Sequence, residues 1–524
     1  MSPTEAPPLP VSTRTARVVL LLAVFLCAAC GLVYELALIT LGQYLLGGTI
    51  YATSLILGVF VCSMGLGSIA AKPLLPKALV GFAVVELCLA AVGGLSVIAL
   101  YAAYAWLDLG LPAVVAASVL VGGLIGAEVP LLMTLLQRIR QQDAGEAVAD
   151  LVAVDYVGAL AGGLAFPFLL LPVFGQVRGA IVVAAVNLVA AAVVAVLLVG
   201  DLGRRSRRSL GAAALGVSLV LAAAAWLTGQ FLVEARQALY ADPVVVASRS
   251  AYQEIVLTQS LPDGKGPRDV RLFLDGDLQF SSADEYRYHE LLVHPAITPG
   301  ARSVLILGGG DGLAAREVLR HQGVQRVVEV ELDPNVLALA RNDERVRSLN
   351  AGSLTDPRVE VVVDDAMRWL RTATEQFDAV IVDMPDPDSP PTAKLYSLEF
   401  YGLAAARLAP EGRIVVQAGS PYFAPEAFWC IERTIAAAGL QTTPYHADVP
   451  SFGDWGFVLA ARGGAPRPTV DPDVARQLRF VDESVLSASM VFPPDRARAR
   501  SSVEVSTLDR PRIVEYEARG WREY

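Results

Sequence analysis

Apolar and polar positions divide this chain into two scripts. Over the first 232 residues, apolar side chains run on for the roughly 20 positions that a helix needs to cross hydrocarbon. Seven such runs stand at about 16–40, 50–71, 78–104, 112–137, 150–171, 177–200 and 209–229. They predict an N-terminal α-helical transmembrane bundle of about seven helices over 1–232. The first run is too long for a cleaved signal peptide, continues through Tyr34 and Glu35, and has no small-residue cleavage site after a short apolar core. Small residues recur inside the runs (Gly65, Gly67, Gly122, Gly123, Gly126, Gly158, Gly162, Gly163), as close helix packing in lipid requires.

From about Tyr252 the period shortens to two. YQEIVLTQ (252–259) and DVRLFLDG (269–276) flank a turn-rich LPDGKGPR, which predicts an antiparallel hairpin. An acidic, aromatic run, SSADEYRYHELLVHP (281–295), predicts a helix, so 250–300 forms a small β-hairpin and acidic-helix region. Strands then alternate with helices: SVLILGGGDG (303–312), RVVEVELD (326–333), RVEVVVDD (358–365), DAVIVDMPDP (378–387) and GRIVVQAGS (412–420). That alternation predicts an α/β domain with a doubly wound parallel sheet, Rossmann-like, over 301–463. The polar stretch 464–524 predicts a C-terminal helical appendage.

Composition follows the same division. Of 524 residues 18% are charged, but residues 1–232 hold 21 charges, or 9%, and the remaining 292 hold 73, or 25%. Formal charge is +1 in the first part and −11 in the second. A disordered chain, a disulfide scaffold and a nucleic-acid binder are thereby disfavoured. Cys27, Cys30, Cys62 and Cys88 lie in apolar runs, only Cys430 lies beyond them, and the four histidines (His289, His294, His321, His446) form no ligand motif; no metal site is expected. With an N-in start, ten basic residues flank the runs on the inside: Arg14, Arg17, Lys72, Lys77, Arg138, Arg140, Arg204, Arg205, Arg207 and Arg208. Only Arg178 stands in the outside loops, which supports that orientation. Four acids sit at membrane depth, Glu35, Glu86, Glu128 and Asp155. Each would cost at least ~2.5 kcal/mol unpaired at mid-bilayer, so they should face the bundle interior. They form either a cation path or, more simply, protonated and hydrogen-bonded carboxyls that tie helices together.

Ligands of a doubly wound sheet sit at the carboxyl ends of its strands. Four of the five ends carry acids: Asp311, Glu331 with Asp333, Asp364 with Asp365, and Asp383 with Asp386. The fifth ends in Gln417. The glycine turn GGGDG presents an aspartate and no basic partner, so it would repel a pyrophosphate and suits a nucleoside carrying positive charge, such as a sulfonium. Glu331 is placed for ribose hydroxyls and Asp365 for an adenine amino group. Asp383 and Asp386 stand three apart on a proline-stiffened loop, where they could hold a polycation and take a proton from an amine. An alkylamine, with a pKa near the ~10.4 of lysine, is protonated at neutral pH and needs such a base before it can attack carbon. Alone, the same stretch reads more readily as a solvated surface turn; the glycine loop and the upstream acidic helix tip the balance to a site.

These motifs together resemble the polyamine aminopropyltransferases, or spermidine synthases, in the membrane-bound form with an N-terminal multi-span region. The resemblance covers YQEI (252–255), LDGDLQ (274–279), DEYRYHELLVHP (284–295), GGGDG (308–312), VELD (330–333), VDDA (363–366), DMPDP (383–387) and VVQ (415–417). It extends to GLVYELALITLGQYLLGG (31–48) and SMGLGS (63–68). It implies an S-adenosylmethionine-type Rossmann domain, with the 250–300 region binding substrate. It also implies transfer of the aminopropyl group of decarboxylated S-adenosylmethionine, a co-substrate, to putrescine or a related polyamine, without a prosthetic group or metal. Asp383 would be the general base and Asp386 would hold the acceptor, with Tyr288 and Gln417 orienting it. Asp311 and Gln279 would contact the aminopropyl arm, Gln253 and Glu331 the methylthioribose, and Asp365 with the backbone of Ala366 the adenine. Ala366 replaces a glycine common at the adenine turn, and Phe452 stands where soluble members often have an acceptor-binding tyrosine, with Trp455 a candidate to line the pocket instead. The implied partners are a small polyamine and the lipid bilayer, with no nucleic acid; homo-oligomer formation is left open.

Two rivals remain at this stage: an S-adenosylmethionine-dependent methyltransferase, and a membrane polyamine transporter or sensor with a degenerate enzyme domain. Localisation is expected at the cell membrane, multi-pass. The side of the catalytic domain is in conflict, since seven N-in spans place it outside while its donor nucleoside belongs to cytosolic metabolism.

Overall fold

A computed structural model describes residues 13–46, 50–107, 109–140, 144–197, 203–262 and 267–521. The tip of the expected hairpin turn (263–266) and the end of the sixth apolar run (198–200) lie outside the described residues. The chain forms two compact units, Met1–Ala241 and Asp242–Tyr524.

The first unit is helical: α1 (Thr13–Leu46), α2 (Ile50–Ala70), α3 (Ala78–Leu107), α4 (Gly110–Arg140), α5 (Ala144–Ala165), α6 (Leu171–Leu197) and α7 (Arg204–Ala238). By length and composition, six helical stretches among the described residues could cross a membrane. The seven sequence runs become six because α5 and α6, joined by the π-helical turn Phe166–Leu170, form one stretch, Val148–Val196. Gly175 (φ 69°, ψ −179°) breaks that stretch, and each side of the break retains roughly the 20 residues of one crossing.

Glycine sets how closely these helices approach. A Cβ on Gly158 or Gly162 of α5 would meet the carbonyl oxygens of Phe25 and Ala29 at 2.4 and 2.3 Å. Arg17 of α1 pairs with Asp150 of α5, so α1 and α5 run parallel. Helix α6 returns beside α1: Cys30 Sγ lies 3.8 Å from the Val183 carbonyl, and Ala190 and Val194 join Ala16 and Leu20 in one apolar cluster. Helix α7 starts at that same end, where Leu210 packs, and finishes beside the end of α3, where Phe231 meets Trp106 edge-on at 5.8 Å. In the interior, Cys27 Sγ donates to Glu86 Oε1 at 3.0 Å, and Glu128 completes a buried trio within 4.8 Å; no linear spacing announces this convergence. Glu35 and Asp155 are half-buried.

The second unit opens with a four-stranded antiparallel sheet, β1 (Val244–Arg249), β2 (Glu254–Gln259), β3 (Val270–Leu274) and β4 (Asp277–Ser281), in sequence order. One strand before and one after the expected hairpin enlarge it. Helix α8 (Glu285–Val293) follows, shorter than the 281–295 run. Then come β5 (Ser303–Gly308), α9 (Leu313–Leu319), β6 (Arg326–Glu331), α10 (Pro334–Asn342), α11 (Glu344–Leu349), β7 (Val359–Val363), α12 (Ala366–Thr372) and β8 (Phe377–Asp383). They are followed by α13 (Pro390–Ala393), α14 (Leu398–Ala406), β9 (Leu408–Gln417), α15 (Pro425–Ala437), β10 (Gln441–Val449) and β11 (Gly453–Ala461).

The sheet runs β10-β11-β9-β8-β5-β6-β7. Strands β5 to β9 are mutually parallel, and β10 and β11 close one edge antiparallel. Apolar clusters cover both faces, one around Phe400, Phe428 and Trp429, the other around Leu291, Leu292 and Phe457. The strand order reverses between β5 and β8, which opens a crevice at their carboxyl ends.

The C-terminal stretch carries α16 (Pro472–Ala475), α17 (Glu483–Ser489), α18 (Pro494–Ala497) and α19 (Arg512–Gly520). It is docked on the unit rather than dangling from it. Leu398 N donates to the Ser506 carbonyl at 2.9 Å, and Trp429 Nε1 to that of Arg496 at 2.7 Å.

Candidate active site

The crevice between β5 and β8 exists because glycine lets two backbones nearly touch. Gly308 ends β5 with φ +83°, and a Cβ there would stand 2.0 Å from the Asp383 carbonyl oxygen. At Gly310 a Cβ would fall 2.6 Å from Glu331 Cγ. The GGGDG turn thus brings the ends of β5, β6 and β8 to one place, and the acids of those ends with them.

At the β8 end, Tyr288 of α8 donates its hydroxyl to Asp383 Oδ1 at 2.6 Å. Burial raises the Asp383 pKa, while the charge of His289 and the Tyr288 hydrogen bond oppose the rise. Three residues on, Asp386 Oδ1 lies 3.1 Å from Gln417 Nε2, which also reaches the Met384 carbonyl at 2.7 Å and the Tyr396 hydroxyl at 2.5 Å. Burial first, and then the neighbouring Asp388, push Asp386 up to about 6. Asp383 and Asp386 are both half-buried rather than sealed, which suits a base and an ammonium holder respectively.

Asp311 folds one oxygen back onto the Leu313 N–H at 2.8 Å, and burial lifts it to about 6. Beside it is His289, absent from the sequence-based set. Its Nδ1 lies 2.9 Å from Glu285 Oε2, and Glu285 is gripped at both oxygens by Arg316 at 2.9 and 2.8 Å. Burial works against its charge, but the hydrogen bond and charge of Glu285 prevail and raise it to about 9. The resulting imidazolium interacts electrostatically with both Asp311 and Asp383. A buried cation therefore stands behind two acids of the site. Its signal in the sequence was adjacency to Tyr288 on a helix already singled out.

The donor-side residues are arranged less directly. Glu331 accepts from the Asp333 N–H at 2.8 Å and is raised to about 7 by burial. Gln253 Nε2 bonds Asp333 Oδ2 at 3.1 Å, two residues from Glu331, and Ser250 supports the same oxygen at 2.6 Å. Asp365 caps α12 through the Arg368 N–H at 2.9 Å and is met by Lys394 Nζ at 2.5 Å. Burial, which resists ionisation, is outweighed there by the Lys394 contact, and the pKa falls. Ala366 follows as the buried first residue of α12. Gln279 is less engaged: its amide bonds the Asp277 carbonyl of its own hairpin at 3.1 Å. Phe452 and Phe457 pack around Tyr288 with centroids at 5.8 and 5.4 Å, and Trp455 lies 5.0 Å from Phe452. An aromatic wall therefore lines the Tyr288 side, where Phe452 supplies no hydroxyl.

Sequence reasoning also passed over Asp277 and Asp388. Asp277 projects from the β3–β4 hairpin and is raised by burial, then by the charges of Asp388, Asp386 and Asp275. The run DMPDPD held Asp388 in plain view, but nothing linear links it to a hairpin more than a hundred residues earlier.

Residues 285–471 match the Spermine/spermidine synthase domain. The chain is 56% identical over 522 residues to polyamine aminopropyltransferase 1 of Streptomyces coelicolor, covering 99% of this chain and 97% of the relative. It is 54% identical over 519 residues to a polyamine aminopropyltransferase of Mycobacterium tuberculosis, covering 96% and 97%. A crystal structure of spermidine synthase in complex with the transition state analogue AdoDATO aligns over 50% of this chain and 89% of that one, with 29% identity and a TM-score of 0.46.

Proposed function

Because the chain belongs to the polyamine aminopropyltransferase family and transfers an aminopropyl group, we propose that its donor is decarboxylated S-adenosylmethionine and its acceptor putrescine. The methyltransferase and transporter readings give way, since the relatives that carry the transferase name match both units of the chain.

The observation that carries the residue assignment is the pairing at the β8 end, with Tyr288 on Asp383 and Gln417 on Asp386. Asp386 holds the acceptor, oriented by Tyr288 and Gln417. Asp383 takes the proton from the attacking ammonium. The freed nitrogen attacks the carbon beside the sulfonium; a C–N bond forms as the C–S bond breaks, and the sulfur takes the bonding pair. The product thioether, 5′-methylthioadenosine, is neutral, so the step develops no oxyanion to stabilise. Positioning and deprotonation supply most of the rate. Asp311 with Gln279 faces the aminopropyl arm, where a carboxylate attracts an ammonium and repels the carboxylate of undecarboxylated S-adenosylmethionine. Glu331 with Gln253 serves the methylthioribose, and Asp365 with the backbone of Ala366 the adenine. For Asp365 to accept from adenine, the nucleoside must share or displace Lys394.

The test is product analysis with donor labelled in the aminopropyl group. Asp383→Asn should lower kcat by about 10²–10⁴, and Asp311→Asn should lose discrimination against the carboxylated donor. Near-normal turnover in Asp383→Asn removes the base assignment, and undiminished selectivity in Asp311→Asn removes the charge filter.

The first unit is a membrane bundle in this reading, supported by its apolar length and by glycine contacts suited to lipid. Its basic flanks at Lys72, Lys77 and Arg204–Arg208 face the cytosol.

A further inference from the structure

We propose that Arg316 and Glu317, consecutive residues of α9, are positioning residues that lock the register of α8 and so seat the Tyr288 hydroxyl on Asp383. This deepens the reading above and rests on Asp383 serving as the base.

The two residues hold opposite ends of one helix. At the start of α8, Glu285 receives both arms of the Arg316 guanidinium, at 2.9 and 2.8 Å. Just past the end of α8, His294 Nε2 lies 3.1 Å from Glu317 Oε2. Arg316 Nε joins the two anchors by donating to Glu317 Oε1 at 2.8 Å. Glu285 and His294 stand nine residues apart, which is about 13.5 Å of helix, so the contacts run the length of α8. Side branches stiffen the line. Arg316 Nη1 also donates to the Leu349 carbonyl at 2.9 Å, and Arg320 pairs with the Glu317 carboxylate. His289 Nδ1 lies 2.9 Å from Glu285 Oε2, and His294 Nδ1 lies 2.9 Å from His321 Nε2. Burial opposes ionisation of both carboxyls, yet His289 and Arg316 hold Glu285, and His294 and Arg316 hold Glu317, at about 2.

So much buried charge is a poor source of stability. Ions taken out of water lose about as much as their pairing returns, and apolar side chains of like volume serve a core as well. What such a network does provide is a unique alignment, because any other leaves a charge unpaired in the interior. Nor is the line a proton relay, since the guanidinium at its middle does not deprotonate. Register is what the site needs. Tyr288 lies between the two anchors, and its hydroxyl meets Asp383 Oδ1 at 2.6 Å. A slip of α8 by one residue would carry Tyr288 ~1.5 Å along and ~100° around the axis, off that carboxylate. Helix α9 in turn starts from the donor turn, where the Arg316 N–H bonds the Gly312 carbonyl at 3.0 Å. The lock therefore ties the partner of the base to the turn that carries Asp311.

The experiment is a double-mutant cycle on kcat with the full-length enzyme. Arg316→Lys keeps the charge but replaces a fork with a single point. It should lower kcat by about 10–100-fold, the scale of a ~1 Å misplacement, while KM for donor and acceptor moves by less than about twofold. In a Tyr288→Phe background the same substitution should cost less than about twofold, because the hydroxyl it positions is gone. Losses that multiply overturn the proposal, as does a normal kcat in Arg316→Lys alone. Glu317→Gln, which keeps the shape and removes the charge, reads the other anchor should Arg316→Lys melt early. Its loss of kcat should likewise vanish without the Tyr288 hydroxyl, and a loss that persists there overturns the proposal. Tyr288→Phe alone separates the two ideas. Normal turnover in it removes the tie between Tyr288 and the base, and the lock with it; a fall in kcat with multiplying losses removes the lock alone.

Discussion

At the residue scale, the site is a set of carboxylates whose protonation is tuned by burial and one buried cation. Asp386 and Asp311 are both pushed to about 6. Above that pH they are ionised and attract ammonium groups; as pH falls through 6 they take up protons and the attraction goes. His289, at about 9, remains an imidazolium across the neutral range. The pH profile of kcat/KM for the acceptor should therefore have an acid limb near 6. A limb near 4, where an unperturbed aspartate titrates, would show that burial does not govern these groups in solution. Asp386→Asn should weaken the limb together with acceptor binding, by a rise in KM larger than the fall in kcat. Asp383, Asp386 and Asp311 were legible because each sits at a strand end and strand ends are visible as hydrophobic runs. His289, Asp277 and Asp388 were not, because their significance lies in which distant acids they face.

At the element scale, the five parallel strands were legible from their Val and Ile runs, because strands buried on both faces show as nearly continuous apolar stretches. The antiparallel pair β10 and β11 was missed. Strand β10 mixes Gln441, Thr442, His446 and Asp448 with apolar positions, a pattern that propensity alone does not separate from loop, and β11 opens on Gly453, Asp454 and Gly456 before its apolar run. The glycine turn was legible as a turn, but only the structure shows its packing role. Gly308→Ala places a methyl against the Asp383 carbonyl and forces a positive φ on a residue that resists it. The expected cost is roughly 2–4 kcal/mol, seen as an earlier melting transition with loss of donor binding. Gly402→Ala in α14, where nothing lies within 4 Å of the added carbon, is the control and should gain up to about 1 kcal/mol. Equal effects at the two positions would mean that the β5–β8 approach is looser than it stands here.

At the scale of the whole molecule, the proposed membrane bundle would set the side on which the transferase unit works. The bundle's internal directions bear on it. Helices α1, α5 and α7 all start at one end, the end that carries Arg17 and the Arg204–Arg208 cluster, and α7 finishes at the other, beside Trp106. The count depends on Gly175, which turns one 49-residue apolar stretch into an outgoing and a returning helix. If both halves cross, the chain leaves the bundle opposite its basic end, and the positive-inside rule puts that exit outside the cytosol. A reporter inserted in the Lys72–Lys77 turn and another after Tyr524 should then give opposite readings. Matching cytosolic readings would require α7 to run the other way, against the shared starting end of α1, α5 and α7. The first outcome requires decarboxylated S-adenosylmethionine to be delivered across the membrane. The second reconciles a cytosolic donor with the −11 charge of an acidic unit that selects cations from the same compartment.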